Sequence, residues 1–130
     1  MIFHSFFQHQ NPVELDIELK RIRENPAAGK ILESRSHEVR SQFNLHNIAP
    51  ALIKNLVTTE LIEIASSILG GEPLIYQSHL NFKSPFRGEA YDWHSDYVYW
   101  KHHDGMLEPR AISIVFPLSS HSIENGGLEV

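Results

Sequence analysis

Apolar residues recur with helical spacing through the first half of the chain and with alternating spacing through the second. In NPVELDIELKRIREN, residues 11–25, Leu15, Leu19 and Ile22 fall on one helical face. Pro12 suits the first helical position, where its missing N–H is not needed, and Pro26 limits the far end. Residues 27–45 are largely polar and read as a loop. A short helical piece around ALIKNLV leads into a longer helix in TTELIEIASSILGG. There Thr58 or Thr59 can cap, Glu60 and Glu63 suit the positive end of the helix dipole, and Gly70 supplies the stop. Leu61, Ile64, Ala65 and Ile68 form one apolar stripe, so this helix is predicted to cover a sheet or another helix.

From residue 73 the period becomes two. In PLIYQSHLNFK, Leu74, Tyr76, Leu80 and Phe82 share a face with Ser78, while Ile75, Gln77, His79, Asn81 and Lys83 share the other. The turn SPFRGEA leads to a second extended stretch containing His94 and Asp96, followed by the loop KHHDGMLEP. RAISIVFPLSS then reads as a strand, with Ile112, Ile114, Phe116 and Leu118 on one side and Ala111, Ser113 and Val115 on the other. SIENGG is a turn, and LEV begins another strand. Helices first and strands afterwards predict an α+β arrangement, an antiparallel or mixed sheet with helices packed on one side. One domain over residues 1–130 is expected, helical over about 11–70 and β over about 73–130. There are no internal repeats, and no glycine-rich phosphate loop is present.

Composition narrows the chemistry. A formal net charge of −5 leaves no basic face for nucleic acid. Without cysteine there are no disulfides or thiolate zinc sites, so any metal must be held by His and carboxylate, and a cytoplasmic setting is the default. No apolar run reaches the length of a membrane span, and MIFHSFFQHQ lacks the basic start and cleavage site of a signal peptide.

In YDWHSDYVYW, His94 and Asp96 stand two apart. In an extended strand both side chains point the same way and can reach one ion, as a 2-His-1-carboxylate triad on Fe(II) requires. The pattern is easily accidental in a chain with nine histidines, so surface polar residues on a half-buried strand remain an equal reading. The polar face of Gln77, His79, Asn81 and Lys83 would line a cavity for an acidic co-substrate if it turned inward, and would be solvated otherwise. Adjacent His102 and His103 beside Asp104 read as a solvated loop, and Ser113, Ser119 and His121 show no triad spacing.

The segments EVRSQFNLH, ILGGEPLIYQSHLNFK, WHSDYVYWKHHDGM, PRAIS and ENGGLEV, taken in order, resemble motifs of the phytanoyl-CoA dioxygenase family, closest to its ectoine-hydroxylase branch. The resemblance runs from about Val13 to the last residue. It implies an Fe(II)- and 2-oxoglutarate-dependent oxygenase on a double-stranded β-helix, the cupin-like jelly roll, preceded by helices, so that this chain is expected to be α+β or mainly β and to hold part of that jelly roll. It also implies that His94 and Asp96 are iron ligands and that Asn81 and Lys83 lie at the 2-oxoglutarate site. His79 joins them in place of the branch's usual arginine. Gln77, Phe43, Trp100 and Ser113 then line the pocket for substrate or co-substrate. The substrate expected is a small ectoine- or amino-acid-like molecule, which Trp100 could hold by cation–π contact if it is not simply core.

Two departures stand out. Val115 replaces a serine usual in the branch, and the family's distal iron histidine and 2-oxoglutarate arginine match no residue up to Val130. His121 does not match the missing ligand. The chain therefore reads as the N-terminal half of such an enzyme, with exposed strand edges open to a C-terminal half or a second copy. A non-catalytic remnant or interaction module of the same fold is the alternative.

Overall fold

In a computed structural model of the chain, which describes residues 11–26 and 28–128, the first helix, α1, runs Pro12–Glu24. Asn11 caps it by accepting the N–H of Val13 at 3.1 Å, with Glu14 in the first turn and Arg21 and Arg23 in the last. Ile22 is fully buried, and Leu15 and Leu19 turn partly inward, as their spacing predicted.

The expected loop over residues 27–45 is instead a hairpin. Strand β1, Lys30–Leu32, pairs antiparallel with β2, Val39–Phe43, and the Glu33 N–H closes it by donating to the Glu38 carbonyl at 2.9 Å. Strand pairing escaped the polar pattern because β2 buries polar groups. Gln42 has no exposed surface, and its amide nitrogen donates to the carbonyls of Ala28 and Phe43. The register slips between Ile31 and Leu32, so that Ile31 faces Ser41 and Leu32 faces Val39. Arg40 is thus the extra residue of a bulge, a feature that re-aims side chains.

Two short helices follow, α2 at Leu45–Ile48 and α3 at Pro50–Leu56. Helix α4, Thr59–Leu69, starts where Thr58 Oγ1 accepts the Leu61 N–H, and it ends at Gly70 with φ +66°, a left-handed position that favours glycine. Leu61 and Ala65 are buried, while Ile68 lies on the exposed side, so the apolar stripe is narrower than its spacing suggested. Arg110 then donates to the carbonyls of Leu69 and Gly70, tying a distant segment to this helix end.

Strand β3, His79–Asn81, completes an antiparallel sheet in the order β1-β2-β3. Ser41 faces Asn81, Gln42 faces Leu80, and Phe43 faces His79. Alternation assigns the two sides. Leu80 and Phe82 pack with Ile22, Leu45, Ala49, Leu52 and Leu56 in a core between the sheet and the helices. Ser41, Phe43, His79 and Asn81 belong to the opposite side.

The β part expected over residues 73–130 differs most, and the described residues are not mainly β. Of PLIYQSHLNFK only residues 79–81 pair, and Leu74, on its supposed apolar face, is 80% exposed. Residues 91–95 are without regular structure, and α5 occupies Asp96–His103, where an extended stretch and a loop were expected. Its first-turn Asp96 and last-turn Lys101, His102 and His103 complement the helix dipole, while Tyr99 stacks on His103 at 4.3 Å one turn on. RAISIVFPLSS forms no ladder; a period of two implies two faces, but a strand also needs a neighbour to accept its hydrogen bonds. SIENGG does turn, with residues 123–126 as its tip. The strand expected at LEV lies mostly outside the described residues, as does MIFHSFFQHQ.

Candidate metal site

Ser95 is extended and Asp96 opens α5, so the two side chains expected to align along a strand instead meet at a strand-like residue turning into a helix. They still converge. His94 Nε2 lies 3.5 Å from Asp96 Oδ1. The outer atoms of both residues are engaged: His94 Nδ1 is 2.6 Å from the Asp92 carbonyl, and Ser113 Oγ donates to Asp96 Oδ2 at 3.1 Å. A carbonyl can only accept, so Nδ1 carries the proton, leaving the Nε2 lone pair free when the ring is neutral. Two acceptor atoms then face one gap, each oriented from behind, as the outer hydrogen bonds of metal ligands do. A doubly protonated His94 would instead make an exposed ion pair, and such pairs contribute about 1 kcal/mol or less. The donor set therefore fits a cation such as Fe(II), though it supplies only two ligands. Among the described residues, no group of three or more His or carboxylate side chains is arranged to hold a metal.

The other predicted site residues fall into separate groups. His79 stacks on Phe43, ring centroids 5.0 Å apart, and Gln77 Nε2 lies 3.2 Å from His79 Nδ1. Trp100 meets Tyr76 edge-on at 5.5 Å, and the Tyr76 hydroxyl donates to Asp104 at 2.6 Å, which holds that phenol above its usual pKa. Asn81 Oδ1 accepts from Ser41 Oγ at 2.7 Å, and Lys83 Nζ donates to the Glu89 carbonyl at 2.7 Å, so both are occupied within the chain. His102 and His103, expected in a solvated loop, lie in the last turn of α5 and line a shallow open depression with His94 and Val98. Ser113 Oγ donates to Asp96 Oδ2, and among the described residues no hydrogen bond runs from it to Gln77 or Phe43, with which it was predicted to line a pocket.

Tyr91, Arg40 and Glu89 carried no role in the sequence reading. Glu89 and Tyr91 lie in the segment that leads to His94, and Arg40 reaches that segment from β2, donating to the carbonyls of Glu89 and Ala90. Arg40 lies 3.7 Å over the Tyr91 ring, and Ser34 Oγ and the Arg35 N–H hold the Glu89 carboxyl, which pushes its pKa below the usual carboxylate range. No local pattern marks them, because their partners lie about 50 residues away in sequence.

Burial of the His79 ring lowers its pKa below the usual histidine value, against a smaller upward pull from Asp96. Protein atoms crowd the ring, but by accessible area His79 is exposed, and area governs how far water screens it, so the effect is small. Its sign is fixed: the unfolded chain takes up the proton first, so the contribution is present above about pH 6.5 and is lost as pH falls through the folded-state value. The urea midpoint is expected to drop slightly as pH is lowered from about 7.5 to about 5.5, and His79→Gln should flatten that drop. An unchanged slope in the variant would assign the effect to another group.

Among the described residues no helix is long and apolar enough to cross a membrane. The chain is 37% identical over 100 residues to an ectoine dioxygenase of Sphingopyxis alaskensis, covering 77% of this chain and 33% of the relative. An L-proline trans-4-hydroxylase of Streptomyces griseoviridis is 35% identical over 100 residues, covering 77% of this chain and 37% of the relative. The crystal structure of EctD from S. alaskensis with 2-oxoglutarate and 5-hydroxyectoine superposes with a TM-score of 0.73 at 31% identity, over 83% of this chain and 40% of that one. A second EctD structure, with bound Fe, gives a TM-score of 0.58 over 68% of this chain and 32% of that one. The chain thus spans about a third to two-fifths of the length of these relatives. The phytanoyl-CoA dioxygenase family model matches residues 3–130, and with the motifs in order and the shared fold, the chain belongs to that family.

Proposed function

We propose that this chain is the N-terminal, metal-bearing portion of an Fe(II)- and 2-oxoglutarate-dependent dioxygenase that hydroxylates a small ectoine- or amino-acid-like molecule. The observation that carries it is the His94–Asp96 pair, with Nε2 and Oδ1 facing one gap and each ligand braced from behind by the Asp92 carbonyl or Ser113. The relatives' names, ectoine dioxygenase and L-proline trans-4-hydroxylase, support the substrate class. Iron, when bound, supplies oxygen activation coupled to decarboxylation of 2-oxoglutarate to succinate and carbon dioxide.

The chain's own residues prepare that chemistry. Asp92 fixes the His94 tautomer, and Ser113 turns Oδ1 of Asp96 to the gap. Gln77, His79 and Phe43 form a separate stacked, hydrogen-bonding group that would take co-substrate or substrate. Asn81 and Lys83 reach a co-substrate only by exchanging Ser41 and the Glu89 carbonyl for it. Trp100, edge-on to Tyr76, offers an aromatic wall for a cationic group.

The third ligand and the carboxylate-binding arginine come, in this reading, from polypeptide beyond the segment shared with the relatives, which also completes the jelly roll. The apolar side chains it would cover are on view, among them Trp93, Leu107 and Ile123, each more than three-quarters exposed. The test is succinate formation from 2-oxoglutarate with Fe(II) and ectoine or L-proline. It is run with the chain alone and with the C-terminal remainder of the S. alaskensis relative. Substrate-dependent succinate only in the second case is expected. None in either case would favour an interaction module that has kept the fold without the reaction.

A further inference from the structure

Residues 84–95 lead from the sheet to the metal pair without forming a helix or strand, so no ladder holds the chain that delivers His94. Something else must. Arg40, the bulged residue of β2, extends its guanidinium into this segment. Its NH1 donates to Glu33 Oε2 at 3.0 Å and to the Glu89 carbonyl at 3.3 Å. Its NH2 donates to the Ala90 carbonyl at 2.8 Å, and its plane covers the Tyr91 ring. Glu33 is 2% exposed and sets the guanidinium from the sheet side. Lys83 on the Glu89 carbonyl, Ser34 on its carboxylate and Ser41 at the Tyr91 hydroxyl complete the grip.

We propose that Arg40 is a positioning residue for the His94–Asp96 pair, acting through the backbone of residues 89 and 90 and the ring of Tyr91. This rests on the reading of that pair as metal ligands. The connection is short: the carbonyl that fixes the His94 tautomer belongs to Asp92, the residue after Tyr91. A shift at Tyr91 therefore moves both the ring and its orienting acceptor. The task needs arginine, because a planar fork reaches one carboxylate and two carbonyls while stacking on an aromatic face, and an ammonium does not.

The test uses the 130-residue chain in four variants, Arg40→Lys, Glu33→Gln, Glu33→Gln with Arg40→Met, and Tyr91→Ala. The double variant avoids leaving a buried carboxylate unpaired, and Tyr91→Ala keeps the Glu33–Arg40 pair intact. Three readouts are compared: Co(II) affinity from its visible absorption, the rate of chymotrypsin cleavage after Trp93, and the urea midpoint. In Arg40→Lys, the double variant and Tyr91→Ala, Co(II) binding is expected to weaken about tenfold. Cleavage after Trp93 should quicken in the same three, and Glu33→Gln alone should retain most of the affinity. Full affinity in Arg40→Lys would mean that only the charge opposite Glu33 matters, which overturns the proposal. Wild-type affinity in Tyr91→Ala, or a loss that merely follows the urea midpoint, overturns it as well. Absence of Co(II) binding by the wild-type chain would overturn the metal reading itself, and the positioning role with it.

Discussion

His94→Ala and Asp96→Ala are each expected to weaken Fe(II) or Co(II) binding by at least about 100-fold, because each removes a donor atom and not merely an outer hydrogen bond. Ser113→Ala, which removes only the donor to Asp96 Oδ2, should cost about tenfold by the same reasoning. The graded order matters more than any single value. A nonspecific metal site on a histidine-rich surface would lose as much on replacing His102 or His103, which line the neighbouring depression. Titration followed by Co(II) absorption, with the folded fraction checked for each variant, measures the order directly. Equal losses for His94, His102 and His103 would sink the assignment of the pair. So would undiminished binding in Asp96→Ala.

The largest effect on stability is expected at Ile22. Its side chain has no exposed surface and packs among Leu45, Leu52 and Phe82, so Ile22→Ala removes buried methyl and methylene groups and leaves a cavity behind. Such truncations cost about 2–5 kcal/mol. For a domain of this size the lower half of that range corresponds to a fall in Tm of about 10 °C. Ile17 on the same helix is the matched control. It is 63% exposed, and Ile17→Ala should stay within about 0.5 kcal/mol of wild type. Urea unfolding of the two variants decides the matter, and similar losses at both positions would show that α1 does not pack as described.

Helices α1 and α4 were legible because their signals are local: a proline at the first position, a threonine cap, a glycine stop and apolar residues every three or four positions. The hairpin of β1 and β2 was not, since Arg40 finds its partners about 50 residues away and Gln42 is buried while polar, which leaves no alternation of apolar and polar residues. Helix α5 misled in another way. Its tyrosines, valine and tryptophan favour extended chain, and none of its residues is buried, so end charges and ring contacts outweighed that preference. At the candidate site the His-x-Asp spacing was visible and the family motifs gave it weight. Bracing of the pair by Asp92 and Ser113 was not visible, because a backbone carbonyl has no letter of its own and Ser113 lies in another segment.

The order in which β2 acquires its neighbours also bears on how the chain reaches this fold. Its pairing with β1 closes only a short turn, whereas its pairing with β3 must wait until α2, α3 and α4 have been gathered between them. Closing that longer loop costs more chain entropy and raises the mean separation of contacting residues. The hairpin can thus form early and by itself. His79 and Asn81 take their places only in that later step, so the face of the sheet that carries them is expected to be completed last.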